Sequence, residues 1–306
     1  MRKLFIKSAS VLVVAAFLIT TSIAQNETLK VEHRTFSHGN PDGFSQPPAG
    51  GTGSLSALLP HSGPVMSSPK IYLIWYGNWN QSNGTDDAAG QQIVRDWANG
   101  IGSSDYFKIN GTYPGKPGPT TASFGAEYTY TGSSKSRLSD NDILSIVGNS
   151  IGTGKLPYNA QGVYFVITSS NVAETSGFCS RYCGWHTAGS VAAGHVRYSF
   201  VGNAARCLSS CAIQSTSPNG NAGVDGAISV LSHELEEAAT DPDLNAWYDS
   251  SGAENADKCA WTFGNSSLLP SGAWYNQTFG GRNFLIQRNL FYNGSWFCAR
   301  TSAGGQ

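Results

Sequence analysis

The chain has 306 residues and a formal net charge of −1, and charged residues make up only 13% of it. Such a near-neutral chain lacks the basic surplus of nucleic-acid-binding proteins, so we expect no nucleic-acid partner. Glycine (36 residues) and aromatic residues (11%) are abundant, and 40% of the chain is hydrophobic. This composition is typical of a globular secreted protein with a full core.

The first 24 residues have the three parts of a secretory signal peptide. Basic Arg2, Lys3 and Lys7 precede an almost wholly apolar run over 11–19, and Ala24 ends a small-residue cleavage site. The run is too short to span a membrane, and no other apolar run reaches that length. We therefore expect a soluble extracellular mature protein, with a flexible leader over 25–68 and a single domain over 69–306.

The cysteines and the sequons fit an oxidising, secretory environment. An even number of cysteines behind a signal peptide indicates three disulfides: Cys179, Cys183, Cys207, Cys211, Cys259 and Cys298. We expect Cys259 to pair with Cys298. The four cysteines of the two Cys-x-x-x-Cys motifs, at 179, 183, 207 and 211, are then expected to form disulfides among themselves. Seven Asn-x-Ser/Thr sequons predict N-glycosylation: Asn26, Asn80, Asn83, Asn110, Asn265, Asn276 and Asn293.

Apolar runs and helical periodicities alternate along the chain. Strands are predicted over 71–76, 126–130, 162–168, 179–185, 195–201 and 284–288, and helices over 86–99, 139–150 and 224–240. The runs at 71–76 and 162–168 are nearly continuous, as in strands buried on both faces. Asp86 and Ser139 are the expected caps of the first two helices. This order predicts an α/β fold, a single layered domain with a mixed sheet and flanking helices.

The helix over 224–240 carries the strongest chemical signal. Asp225 is its expected N-cap, and Pro242 follows its end. His233 and Glu237 are one turn apart on the polar side, with Glu234 beside them. This spacing resembles the zinc-binding His-Glu-x-x-His helix, with a glutamate in place of the second histidine. A zincin-like active-site helix is therefore one interpretation; an ordinary solvated surface helix is the other.

An acidic segment follows that helix and offers a third ligand. Asp257 and Glu254 lie in it, and either of them can complete a Zn²⁺ site with His233 and Glu237. Glu234 is then the candidate catalytic residue, a general base toward water. No phosphate-binding glycine loop favours another chemistry.

Short motifs occur along most of the chain, in the segments 61–66, 71–79, 93–96, 162–170, 178–186, 200–211, 218–220, 224–226, 232–235, 245–248 and 254–259. Together they resemble a known family, EXORDIUM (phosphate-induced protein 1) of plants, over about 61–300. The resemblance implies a secreted protein of the apoplast and cell wall, associated with cell growth and expansion. It supplies no established catalytic activity.

Other residues are weaker candidates. His186, after Cys183-Gly-Trp, can line the same cleft or serve the structure alone, whereas His61 is expected in a turn. Trp75, Tyr76 and Trp79 suit sugar stacking, although core packing is the commoner use.

Three functions remain open from the sequence. One is an EXORDIUM-like growth or wall protein with a structural metal. The second is a secreted zinc-dependent hydrolase, such as a peptidase acting on a peptide substrate. The third is a protein that binds cell-wall glycan. Metal content distinguishes the hydrolase from the glycan-binding protein. Turnover of a substrate distinguishes the hydrolase from the growth or wall protein.

Overall fold

A five-stranded mixed sheet lies at the centre of the computed structural model, which describes residues 50–51, 53–132 and 134–306. Its strands in chain order are β1 (Lys70–Tyr76), β2 (Ser123–Thr129), β3 (Gly162–Thr168), β4 (Gly184–Val191) and β5 (Gly194–Gly202). Across the sheet the order is β2–β1–β3–β5–β4. Only β4 is antiparallel to its neighbour, because it joins β5 in a tight hairpin.

Three helices cover the two faces of the sheet: α1 (Ala88–Gly100), α2 (Asp140–Gly152) and α3 (Ala222–Thr240). Helices α1 and α3 pack together, since the Trp97 indole N–H donates to Ser232 Oγ at 2.9 Å. On β4, a Cβ at Gly184 would meet Val230 of α3, whereas one at Gly189 would meet Leu144 of α2. Residues an odd number of positions apart on a strand face opposite sides of the sheet, as Gly184 and Gly189 do. Helices α3 and α2 therefore cover opposite faces. The predicted mixed sheet with flanking helices is confirmed.

Burial on both faces explains the composition of the central strands. Every residue of β3 is buried, and so are residues 71–76 of β1. The two strands pair in register from Lys70–Gly162 to Tyr76–Thr168. Both predicted strands are therefore confirmed, with β1 starting one residue earlier.

Short elements surround this sheet. The remaining strands are Leu59–Pro60, Arg137–Leu138, Ala173–Glu174, Trp247–Tyr248, Ser267–Leu268, Trp274–Tyr275, Gln277–Phe279, Arg282–Phe284, Asn289–Tyr292 and Trp296–Ala299. The remaining helical turns are Ile101–Ser103, Phe107–Thr112, Ala204–Arg206, Leu208–Cys211 and Asp257–Cys259. Among the described residues no helix is both long enough and apolar enough to cross a membrane.

Two predicted strands are misplaced. The strand expected over 179–185 begins only at Gly184, because the preceding residues form a turn held by disulfides. The strand expected over 284–288 is interrupted after Phe284. There the Ile286 N–H donates to the Asn276 side chain and the Arg288 N–H donates to the Thr262 carbonyl. These N–H groups are therefore not used for pairing with a neighbouring strand.

Ordered packing begins before the predicted domain boundary. Leu59–Pro60 pairs with Trp247–Tyr248, and Met66 is buried while its N–H donates to the Ala239 carbonyl. The second half of the predicted flexible leader therefore belongs to the domain. The predicted signal peptide and Asn26 lie outside the described residues.

Two of the three predicted helix caps require correction. Ser139 caps α2 through a reciprocal capping box with Asp142, as predicted. Asp87 rather than Asp86 caps α1, because the Asp86 carboxylate accepts the Ser170 N–H at 2.8 Å. Asn221 rather than Asp225 caps α3.

The cysteines form three disulfides, Cys179–Cys207, Cys183–Cys211 and Cys259–Cys298. The pairing predicted for Cys259 is confirmed. The two Cys-x-x-x-Cys pairs bridge each other, so that the turn before β4 is tied to the segment before α3.

Candidate functional site

The polar side of α3 is buried rather than solvated. His233, Glu234 and Glu237 are 7%, 5% and 4% exposed. Strand β4 and the loop after the helix cover them, so the interpretation of α3 as a surface helix is wrong. Buried ionisable groups are costly unless they are paired or bind a cation, which makes this face a candidate functional site.

One cluster forms around His233 and combines the two helix residues with the acidic loop. His233 Nε2 lies 2.9 Å from Oε1 of Glu237 and 3.6 Å from Oδ1 of Asp257. The backbone N–H of Asp257 also donates to Glu237 Oε1 at 3.1 Å, which fixes the loop against the helix. The predicted residues His233, Glu237 and Asp257 are thus brought together; their ligand atoms lie within 4.8 Å of one another.

A second cluster forms around His186. Its Nδ1 lies 3.4 Å from Oε2 of Glu237 and 3.5 Å from Oε2 of Glu234. Its Nε2 lies 3.6 Å from Oε1 of Glu254 and 3.4 Å from the carbonyl oxygen of Asp241. Glu254, predicted as an alternative third ligand for the first cluster, therefore lies beside His186. Glu237 belongs to both clusters.

Strand β4 explains how His186 reaches the helix. His186 lies two residues after Gly184 and therefore faces α3 as well. Gly184 has no side chain, and a Cβ there would lie 2.6 Å from Val230 Cγ1 and 3.2 Å from Glu234 Oε1. The glycine allows α3 to approach β4 closely enough for the imidazole of His186 to contact Glu234 and Glu237.

The clusters shift the pKa values of their members strongly. Burial lowers the pKa of His233, but Glu237 and Asp257 outweigh it and raise that pKa well above its ordinary value. Burial also lowers the pKa of His186. Glu254 first, and then Glu234 and Glu237, outweigh that effect and raise the pKa well above its ordinary value. Burial raises the pKa of Glu237, but the two histidines outweigh it and lower that pKa to about 2. Glu237 is therefore a carboxylate at neutral pH.

The site has more acidic than basic groups. Four carboxyl groups, those of Glu234, Glu237, Glu254 and Asp257, meet two imidazoles. Among the described residues no lysine or arginine forms an ion pair with any of the four. Lys258, the nearest basic residue in sequence, pairs instead with Asp249 at 2.5 Å. A bound cation would supply the missing positive charge, and imidazole with carboxylate is a donor set that suits zinc.

Several other candidates have structural roles. Trp75, Tyr76 and Trp79 are 1%, 1% and 7% exposed, so they pack in the core and offer no surface for a sugar. His61 stacks on Tyr248 with ring centroids 3.6 Å apart.

Two of the seven sequons are inaccessible in this fold. The Asn110 side chain is fully buried and its amide donates to Glu236, while that of Asn276 donates to the Phe263 and Ile286 carbonyls at 2.7 Å. A glycan would replace an amide hydrogen and require space that neither site has. Both positions are therefore incompatible with glycosylation of the folded chain. The described exposed sequons are Asn80, Asn83, Asn265 and Asn293.

Comparison with known proteins gives the family. Residues 58–288 match the family model described as the phosphate-induced protein 1 conserved region. Protein EXORDIUM-like 3 of Arabidopsis thaliana is 32% identical, over 78% of this chain and 81% of that relative. Protein EXORDIUM-like 5 of the same plant is 28% identical, over 78% of this chain and 76% of that relative. No solved structure matches the chain. The chain belongs to the phosphate-induced protein 1 family, as its motifs predicted.

Proposed function

We propose that this chain is a secreted, EXORDIUM-like protein of the apoplast or cell wall, associated with cell growth and expansion, and that it binds a zinc ion. The ligands are His233, Glu237 and Asp257. The convergence of these three side chains, two buried on one helix and one 14% exposed on a loop, is the observation that carries the proposal. The family relationship and the three disulfides support the extracellular setting.

The spacing of the donor atoms supports zinc. Ligands about 2.0–2.1 Å from a tetrahedral ion lie roughly 3.3–3.5 Å from one another. His233 Nε2 and Asp257 Oδ1 are 3.6 Å apart. Glu237 lies closer to His233, at 2.9 Å, and this distance would lengthen slightly as both atoms turn toward an ion.

Metal content tests the proposal directly. Protein purified without added metal is analysed by mass spectrometry for bound elements, and His233→Ala and Asp257→Asn variants are analysed in parallel. We expect zinc in the wild type, and the loss from both variants of the ion that His233 and Asp257 hold. His195→Ala is the matched control, because His195 is 48% exposed and pairs with Asp243 away from the site. A metal-free wild-type protein that also binds no added zinc would refute the proposal.

The extracellular setting has its own test. Expression of the full chain in a eukaryotic host should release into the medium a protein that begins near Gln25, since cleavage is predicted near Ala24. Retention of the uncleaved chain inside the cells would contradict it.

A hydrolase, most simply a peptidase, is the second candidate, and the position of Glu234 favours it. Its carboxyl group is 5% exposed and adjoins both clusters. Burial raises the pKa of Glu234 above its ordinary value, while the hydrogen bond with His186 opposes the rise. Zinc would supply Lewis-acid activation of water, and Glu234 would hold the proton taken from it. Turnover of peptide substrates by the zinc-loaded protein would distinguish this enzyme from a protein with a structural ion.

A further inference from the structure

We infer that the site binds two divalent cations, with Glu237 as the bridging ligand and His186 and Glu254 as the ligands of the second ion. The inference rests on the proposed zinc site and extends it. It explains why a second histidine and a further carboxyl group, which the first ion does not use, are buried at the same place.

The carboxylate of Glu237 has the geometry of a bridge. Its Oε1 lies 2.9 Å from His233 Nε2, while its Oε2 lies 3.4 Å from His186 Nδ1. The two oxygens thus face different imidazoles, one from the helix itself and one from β4. Two-metal sites hold their ions about 3.5–4 Å apart, a distance that a single carboxylate can bridge.

The second cluster also has an unsatisfied buried atom. Glu254 Oε1 is inaccessible to solvent and accepts no hydrogen bond from the described residues. The imidazole of His186 is 3% exposed, and its Nε2 lies 3.6 Å from that atom. This distance is too long for a good hydrogen bond but close to the roughly 3.3–3.5 Å between ligands of one tetrahedral ion. The ligand atoms of His186, Glu237 and Glu254 lie within 4.8 Å of one another.

The two ring nitrogens of His186 can take separate roles. Nε2 lies 3.6 Å from Glu254 Oε1 and would bind the ion, while Nδ1 faces the carboxylates of Glu234 and Glu237, at 3.5 and 3.4 Å. A metal-binding imidazole generally donates its other N–H to a carboxylate or carbonyl, which fixes its tautomer and orientation. Glu234 is placed to accept that N–H, which makes it a positioning residue for the second ion.

Metal stoichiometry in matched variants tests the inference. The intact protein is saturated with zinc, dialysed and analysed for zinc per chain; Glu254→Gln removes a ligand of the second ion, and Asp257→Asn removes one of the first. We expect two equivalents in the wild type and one in each variant. Saturation with Co²⁺ adds an independent readout, because two bridged ions couple magnetically. The coupling should be present in the wild type and absent from both variants by electron paramagnetic resonance.

The outcomes separate this inference from the proposed function. One equivalent in the wild type, kept by Glu254→Gln and lost by Asp257→Asn, would overturn the second ion and leave the zinc site standing. No zinc in the wild type would refute both. Far-ultraviolet circular dichroism checks that each variant is folded. If Glu254→Gln is unfolded, His186→Gln replaces it, and two equivalents in that variant would also overturn the inference.

Discussion

Glu237 Oε1 lies 2.9 Å from Nε2 of His233, one helical turn earlier, in a region where both side chains are buried. On a solvated helix such a pair would contribute little. Here each group is removed from water, so a change to either one leaves the other without its main partner. The pair is therefore the most sensitive point of the site.

The roles of His233 and Glu234 can be separated by substitution. In a hydrolase, Glu234→Gln should keep the fold and the ion on His233 but abolish turnover, because the amide cannot accept a proton. His233→Ala should lose that ion and lower the melting temperature, since metal binding adds to the free energy of folding. Metal analysis, calorimetry and peptide hydrolysis measure the three effects. If neither variant changed metal content or stability, the proposed site would be wrong.

Gly184 should tolerate no side chain. An added methyl group would lie 2.6 Å from Val230 Cγ1 and would force β4 and α3 apart, so we expect Gly184→Ala to cost about 1–3 kcal/mol of stability. Gly152, at the end of α2, is the matched control because nothing lies within 4 Å of an added Cβ. Gly152→Ala should be neutral or stabilising by up to about 1 kcal/mol. Urea unfolding of both variants measures the difference, and equal stabilities would contradict the close packing.

The capping box of α2 predicts a pH-dependent contribution to stability. The hydrogen bond from Lys135, and then that from the Ser139 N–H, lower the pKa of Asp142 to about 2. Since this is below the unfolded value of about 3.9, the contribution is present above about pH 4 and is lost as the pH falls through 2. Asp142→Ala should therefore cost about 1 kcal/mol at pH 7 and much less at pH 2.

Urea unfolding at several pH values checks this dependence. Asp105→Ala is the control, because the Asp105 side chain is 68% exposed and forms a surface ion pair with Lys108. The control should change stability by less than about 0.5 kcal/mol. A cost at Asp142 that is independent of pH would argue against the role of its charge.

The three disulfides predict that the unreduced, denatured protein contains no reactive thiol. Thiol titration checks this, and two or more reactive groups would contradict it. Replacing Cys259 and Cys298 together by serine should cost about 4 kcal/mol, because their bond closes a loop with a sequence separation of 39. Thermal unfolding of the double variant measures the loss.

The sequons should differ in occupancy. Glycopeptide mapping of protein from a eukaryotic host should find glycans among Asn80, Asn83, Asn265 and Asn293, which are exposed, and none at Asn276. Asn110 should also be unmodified, and Asn110→Ala should destabilise the fold by about 1–3 kcal/mol because buried Glu236 loses a donor. A glycan on Asn110 in the folded protein would show that this packing is wrong.

Local sequence determined much of the fold. The continuous apolar runs of β1 and β3 predicted two strands buried on both faces, since no polar residue interrupts them. The periodicity of 224–240 predicted α3, and the spacing of His233 and Glu237 placed them on one side of it. The family motifs, read from the same chain, agreed with the match over 58–288. Each of these signals lies within a short stretch of residues.

Only the tertiary structure decided which residues share the site. His186 lies 47 positions before His233 and contacts Glu234 and Glu237 because Gly184 lets α3 pack closely on β4. The loop after α3 places Asp257 beside His233 and Glu254 beside His186. The separations of these residues in the sequence do not predict which carboxylate meets which histidine. Burial of the polar side of α3 and of Asn110 likewise depends on what covers them. Such contacts arise between segments that are distant in the sequence, so local propensity and residue spacing do not predict them.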